Sequence, residues 1–397
     1  MDFVSIIKQK STDYFSEIQS IRQHIHKHPE LSFEEVETAN FIARKLTEYG
    51  ISYQSGVAGT GIVGYIEGKN PNSKTIALRA DMDALPITEK NDVSYKSTKE
   101  GIMHACGHDV HTACLLGAAK ILQELRNELE GKIQLIFQPG EEKLPGGASL
   151  MIKEGVLSDT ALKGIVGQHV YPELEVGKVG LRSGMYMASA DEIYVKVIGK
   201  GGHAALPQHT VDAVLMASNI IVSLQQLVSR NAPPTVPTVL SFGKIEGKGA
   251  TNVLPDVVTL EGTFRTMNEV WREEAHKKMV QLAEQIAIGM GGKCEFEVRK
   301  GYPFLTNDVH MTSTAYKAAT DYLGAENVID LDLRMTAEDF SFYTHHTKGC
   351  FYRLGTGNKS KGITHKVHHA QFDIDEEALK IGMGLLAYQA ISQLKKS

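Results

Sequence analysis

The sequence predicts an α/β protein: a mostly parallel sheet covered by helices, interrupted by an inserted two-layer α+β sandwich. Three observations carry this. Over residues 1–182, strand-like apolar runs alternate with helical ones, the arrangement that produces a parallel sheet covered on both faces. Residues 183–299 hold a complete β-α-β-β-α-β pattern, which closes on itself as a split two-layer sandwich. The earlier alternation then resumes, so 1–182 and 300–397 are expected to form one domain and 183–299 a second. At 397 residues the chain exceeds what one core ordinarily holds.

Taken in order, Ile6, Ile7, Phe15, Ile18, Ile21 and Ile25 recur at helical intervals and predict one amphipathic helix over 5–27. His28-Pro29 ends it, and Ser32 with Glu35 forms a capping box for a second helix reaching Tyr49. His24, His26 and His28 have lysine, proline and glutamine as neighbours and read as a solvated helix end. Three buried strands follow: 74–80 runs into Asp81 and Asp83, 132–137 into Glu141 and Glu142, and 164–168 into His169. Helices over 112–129 and 147–154 separate them. Sites in such sheets form at the carboxyl ends of the strands, and all three ends here carry Asp, Glu or His. The inserted segment reads as strand 190–198, helix 211–229, strands 235–245 and 257–266, helix 269–288 and strand 293–299. The last segment gives helix 311–323, strand 350–354 and a terminal helix 376–394, with the pair His368-His369 in the loop between the last two.

The formal charge of −5 is spread without long runs, which gives no electrostatic reason to expect nucleic acid or an anionic membrane as partner. A small molecule fits better. Cys106, Cys114, Cys294 and Cys350 have no framework spacing, so a reducing compartment is expected in place of a disulfide scaffold. The first residues lack the basic start and long apolar core of a secretion signal, and no apolar run approaches membrane-spanning length. A cytoplasmic location with no membrane partner is the expectation.

The chemistry converges on 103–111, where one thiol, one carboxylate and three imidazoles lie between His104 and His111. Cys106 and His108 are two apart on a turning segment and can reach one ion from the same face. With Glu142, His169 and one of His368 or His369, the set suffices for two ions sharing a bridging water. Glu141 and Glu142 diverge as neighbours, so one can coordinate while the other stays free as a general base. Asp83, at a strand end, is placed to fix a ligand imidazole, whereas His104, His111 and His209 read as structural. A metal-bound water attacking a carbonyl, with a carboxylate passing the proton to the leaving amine, hydrolyses an amide or peptide bond. Two other readings compete. One is a cysteine-nucleophile hydrolase built on Cys106, and the other a non-catalytic metal-binding protein on the same fold.

Five motifs in order, Ala80-Asp81-Met82-Asp83-Ala84-Leu85-Pro86, His104-Ala105-Cys106-Gly107-His108-Asp109, Gln138-Pro139-Gly140-Glu141-Glu142, Gly199-Lys200-Gly201-Gly202-His203 and Thr251-Asn252-Val253-Leu254-Pro255, resemble the binuclear metallopeptidase family of aminoacylases and carboxypeptidases. The resemblance is strongest to its branch of hippurate hydrolases, auxin-conjugate amidohydrolases and N-acetyl-diaminopimelate deacetylases, and it spans nearly the whole chain. It implies a catalytic domain interrupted by a lid and dimerisation domain. It also implies two divalent ions (Zn, Mn or Co) on Cys106, His108, Glu142, His169 and His368, with Glu141 as base and Asp83 as orienting carboxylate. His368 is preferred over His369 because the family histidine lies four residues before a phenylalanine, here Phe372. Asp81 stands where more distant members have a ligand histidine. On the lid, Asn252 and Arg265 match positions that hold the substrate carboxylate. His203 matches a histidine that reaches the partner's site in a two-fold homodimer and polarises the scissile carbonyl. The implied activity is hydrolysis of N-acyl amino acids to a carboxylic acid and a free amino acid. A dipeptidase or carboxypeptidase of the same mechanism would differ only in what fills the acyl pocket.

Overall fold

In the computed structural model, which describes residues 1–396, the strand Thr75–Asp81 is buried along its whole length. It is flanked in parallel by Lys132–Gln138 and Leu162–Glu175. Covered on both faces, such strands need apolar residues at nearly every position, which is why they stand out in the sequence as continuous runs. The full sheet has eight strands in the spatial order Ser52–Val57, Gly61–Glu67, Lys132–Gln138, Thr75–Asp81, Leu162–Glu175, Gly349–Gly357, Val179–Leu181, Val328–Asp330. Its four central strands are parallel, and an antiparallel neighbour follows on each side. Helix His108–Glu124 is buried over most of its length and shares one core with the terminal helix Ala378–Lys396.

These elements belong to a compact unit made of Met1–Tyr186, Thr306–Leu333 and the residues from Asp339 onward. The second unit, Met187–Leu305 with Arg334–Glu338, has its own core. Its four-stranded antiparallel sheet runs Thr238–Gly247, Val257–Thr266, Asp191–Ile198, Lys293–Lys300. Burial alternates residue by residue along Asp191–Ile198, as one covered face requires. Helices Ala213–Gln226 and Glu269–Gly289 cover that face, and Asp212 and Asn268 cap their N-termini through side-chain oxygens. Among the described residues no helix is long and apolar enough to cross a membrane.

Several expectations about local structure need correction. The single opening helix is two, Phe3–Asp13 and Phe15–Lys27, because Tyr14 closes the first by donating its N–H to Lys10 O. Ser32 does not cap the next helix, which starts at Val36. Its hydroxyl donates to Asp83, and the Glu35 carboxylate accepts the N–H groups of Phe33 and Gly140. His26 is no solvated residue: it is fully buried and bonded through its two ring nitrogens to Asp109 and Glu89. His169 lies inside the strand Leu162–Glu175, opposite Arg353, where the sequence placed it just past a strand end.

Candidate metal centre and active site

Gly107 sets the local geometry of the ligand segment. It takes φ +82°, and a Cβ there would meet Val170 Cγ2 at 2.6 Å, so only glycine fits this turn into the helix His108–Glu124. The turn aims Cys106 and His108 at the strand that carries His169. From the other side, the His368 N–H donates to Ala105 O at 2.7 Å and fixes the late loop against the same segment, with His368 at φ 64°.

The candidate ligands then meet. One donor atom each from Cys106, His108 and His169 lie within 4.8 Å of one another, as do those of Cys106, Glu142 and His368, and those of His108, Glu141 and Glu142. Cys106 Sγ is 3.5 Å from His169 Nε2, and Glu142 Oε1 is 3.1 Å from His368 Nε2. The two buried imidazoles of the candidate ligand set, His108 and His169, are each held by their other nitrogen. His169 Nδ1 donates to Val170 O at 2.7 Å, and His108 Nδ1 to Asp83 Oδ1 at 3.1 Å, so Nε2 is the nitrogen that each ring has left for an ion. His108 Nε2 is buried without a hydrogen-bond partner. Asp83 Oδ2 also accepts from Ser32 Oγ at 2.6 Å and from the Glu142 N–H at 3.0 Å, so one carboxylate orients both an imidazole and the segment bearing the two glutamates. Glu141 is buried, and its Oε1 accepts from the Asp339 N–H at 3.4 Å. His369 turns away, stacked on His365 at 4.3 Å.

The electrostatics favour a cation. Burial, then Glu142, Glu141 and Asp81, push the Cys106 thiol well above its ordinary pKa. Burial opposes protonation of His108, yet Asp81, Asp83 and Glu142 raise it to about 10. Burial and Arg353 hold His169 well below its usual range, as a neutral donor. An excess of carboxylates that favours positive charge at His108, beside a thiol and the neutral His169, is a setting that a divalent zinc, manganese or cobalt ion fits by taking the place of the protons. Asp81 is differently placed. Its carboxylate is 2.5 Å from both Arg79 Nη1 and His111 Nδ1, so it is already engaged although it also lies near His108.

Of the histidines read as structural, His111 bridges Asp81 and the Val170 N–H. His104 is buried with neither ring nitrogen bonded, and burial lowers its pKa to about 3. His209 is exposed in the short turn Pro207–His209. Arg79 and Asp339 escaped the sequence reading. An arginine inside an otherwise apolar buried strand was the available signal, since charges are rarely buried unpaired.

The remaining candidates lie in the second unit. His203 pairs with Val253 across the short strands Gly202–His203 and Val253–Leu254, and its Nδ1 accepts the Ala205 N–H at 3.1 Å, which leaves Nε2–H as a donor. Asn252 sits beside it, its carbonyl accepting the Ala204 N–H at 3.0 Å. Arg265, on Val257–Thr266, is half-buried and makes no side-chain hydrogen bond or ion pair with another described residue.

The sequence pattern of Peptidase family M20/M25/M40 matches residues 77–391. The chain is 42% identical over 389 residues to IAA-amino acid hydrolase ILR1-like 4 of Arabidopsis thaliana, covering 97% of this chain and 87% of that one. It is 41% identical over 377 residues to the N-acetyl-L-cysteine deacetylase of Bacillus subtilis, covering 95% and 88%. Among solved structures, the YxeP protein of Bacillus subtilis, described as a dinuclear metal binding peptidase from the M20 family, matches with a TM-score of 0.83 at 34% identity, covering 97% of this chain and all of that one.

Proposed function

The chain belongs to Peptidase family M20/M25/M40 and is a metal-dependent amidohydrolase, and from that premise we propose that it cleaves N-acyl amino acids to a carboxylic acid and a free amino acid. The observation that carries this is the convergence of Cys106, His108, Glu142, His169 and His368 beside Glu141. Those five residues would hold two divalent ions, zinc, manganese or cobalt. The ions, when bound, would supply Lewis acidity toward water and the scissile carbonyl. Glu141 takes a proton from water and delivers it to the leaving amine. Asp83 holds a proton on His108 Nδ1, which makes Nε2 the nitrogen that would ligate once an ion displaces its proton.

Residues 1–182 and 300–397 would serve as the catalytic domain and 183–299 as lid and dimerisation domain. On the lid, Arg265 and Asn252 bind the substrate α-carboxylate, a planar cation and a neutral donor suited to it. A homodimer is supported by the surface of the second unit. Val214, Leu215 and Val222 stand exposed on Ala213–Gln226, and Thr238–Gly247 is a long, largely exposed edge strand that a second copy would cover. All four cysteines are free, in keeping with a cytoplasmic location.

The reading is tested on substrate pairs. Losing one charge-assisted contact costs about 1.5–3 kcal/mol, so replacing an N-acetyl amino acid by its amide should lower kcat/KM roughly 10–100-fold. Amine release measured for both compounds checks this. Equal rates would remove Arg265 and Asn252 from the site.

A further inference from the structure

Behind the candidate ligands runs a continuous line of buried hydrogen bonds to which the proposed chemistry assigns no role. Glu141 Oε1 accepts from the Asp339 N–H. The Asp339 carboxylate receives Arg79 Nη2 at 2.7 Å, Arg79 Nη1 reaches Asp81 Oδ2, and Asp81 Oδ1 accepts from His111 Nδ1. His111 Nε2 accepts the Val170 N–H at 2.8 Å, which makes the ring neutral and places its proton on Nδ1, toward Asp81. The Val170 carbonyl in turn takes the Nδ1–H of His169. Arg79, Asp81, His111 and Asp339 are each at most 1% exposed.

We propose that Arg79, Asp81, His111 and Asp339 are positioning residues that hold the base Glu141 and the ligand His169 in one fixed relation. The proposal rests on the functional reading above. The line ends on a group of the chemistry at each terminus, which a purely stabilising ion pair has no reason to do. Its hub is the guanidinium. Nε donates to Gln138 Oε1 at 2.9 Å while the two Nη atoms serve Asp81 and Asp339, so one planar fork holds its own strand end and ties it to two other segments. A lysine ammonium is a single point charge on a flexible stem and cannot reproduce that fork. At the other end, His111 pins the N–H of Val170, the residue next to His169, and the carbonyl of that same residue sets the orientation of the His169 ring. Outer partners of ligand imidazoles commonly govern metal affinity in this way.

The test uses Arg79→Lys and His111→Leu, neither of which changes net charge, with His111→Gln as the conservative variant. Metal-free protein is titrated with Co2+, following the absorption of the cobalt–thiolate bond to Cys106, and kcat and KM are measured on an N-acetyl amino acid. His111→Leu should lose roughly 10–100-fold in Co2+ affinity, and Arg79→Lys a similar factor in kcat with little change in KM. His111→Gln, which keeps an acceptor and a donor, should recover most of the affinity. A merely structural role would lower the unfolding midpoint and leave the cobalt spectrum, affinity and kcat of the folded protein at wild-type values, and that result would overturn the proposal. Should Arg79→Lys fail to fold, the His111 pair decides alone. A wild type that binds Co2+ but hydrolyses no N-acyl amino acid would overturn the functional reading, and the cobalt titration would still judge the network.

Discussion

Glu141→Ala should keep its metal and lose nearly all turnover, by roughly two to four orders of magnitude, the usual contribution of a positioned general base. Glu142→Ala should lose metal as well. The two neighbours differ in what surrounds them. Glu142 shares one cluster with Cys106 and His368 and stands 3.1 Å from the latter, whereas Glu141 is held from behind by the Asp339 N–H and shares a cluster with His108 and Glu142. Metal content after gel filtration, measured beside kcat, separates the variants. Full turnover by Glu141→Ala would sink the proposed mechanism.

His203→Ala should lower kcat by about 10²–10³, the cost of removing one donor to a developing oxyanion. Its Nδ1 is occupied by the Ala205 N–H, so Nε2–H is the group that donates. The proposed homodimer adds a sharper expectation, namely that this histidine serves the partner's site. Mixing His203→Ala with Glu141→Ala, each inactive alone, would then give mixed dimers with one intact site. Random reassortment of a two-fold dimer should restore about a quarter of wild-type activity. No recovery from verified mixed dimers would mean that His203 acts within its own subunit or not at all.

What the sequence reveals and conceals follows from where each signal resides. The central strands are legible because burial on both faces demands apolar residues throughout, and the second unit because its strands and helices alternate faces at their own periods. Ser52–Val57 is not legible: five of its six residues are exposed, so no apolar pattern marks it. His26 misleads because its sequence neighbours are polar while its actual partners, Asp109 and Glu89, lie 83 and 63 positions away. Ser32 has the spacing of a helix cap, yet its hydroxyl is taken by Asp83, 51 positions on. The candidate ligands are readable because a thiol, imidazoles and carboxylates clustered at strand ends have few other uses. The line behind them is not, since Arg79 and Asp339 are 260 positions apart and each alone resembles an ordinary charged residue.

Metal dependence is where the competing chemistries part most cleanly. Protein stripped by a chelator should be inactive toward an N-acetyl amino acid and should recover as Mn2+, Zn2+ or Co2+ is added, reaching its plateau near the second equivalent. Activity that survives complete metal removal and disappears on alkylation of Cys106 would contradict this and make the thiol the nucleophile.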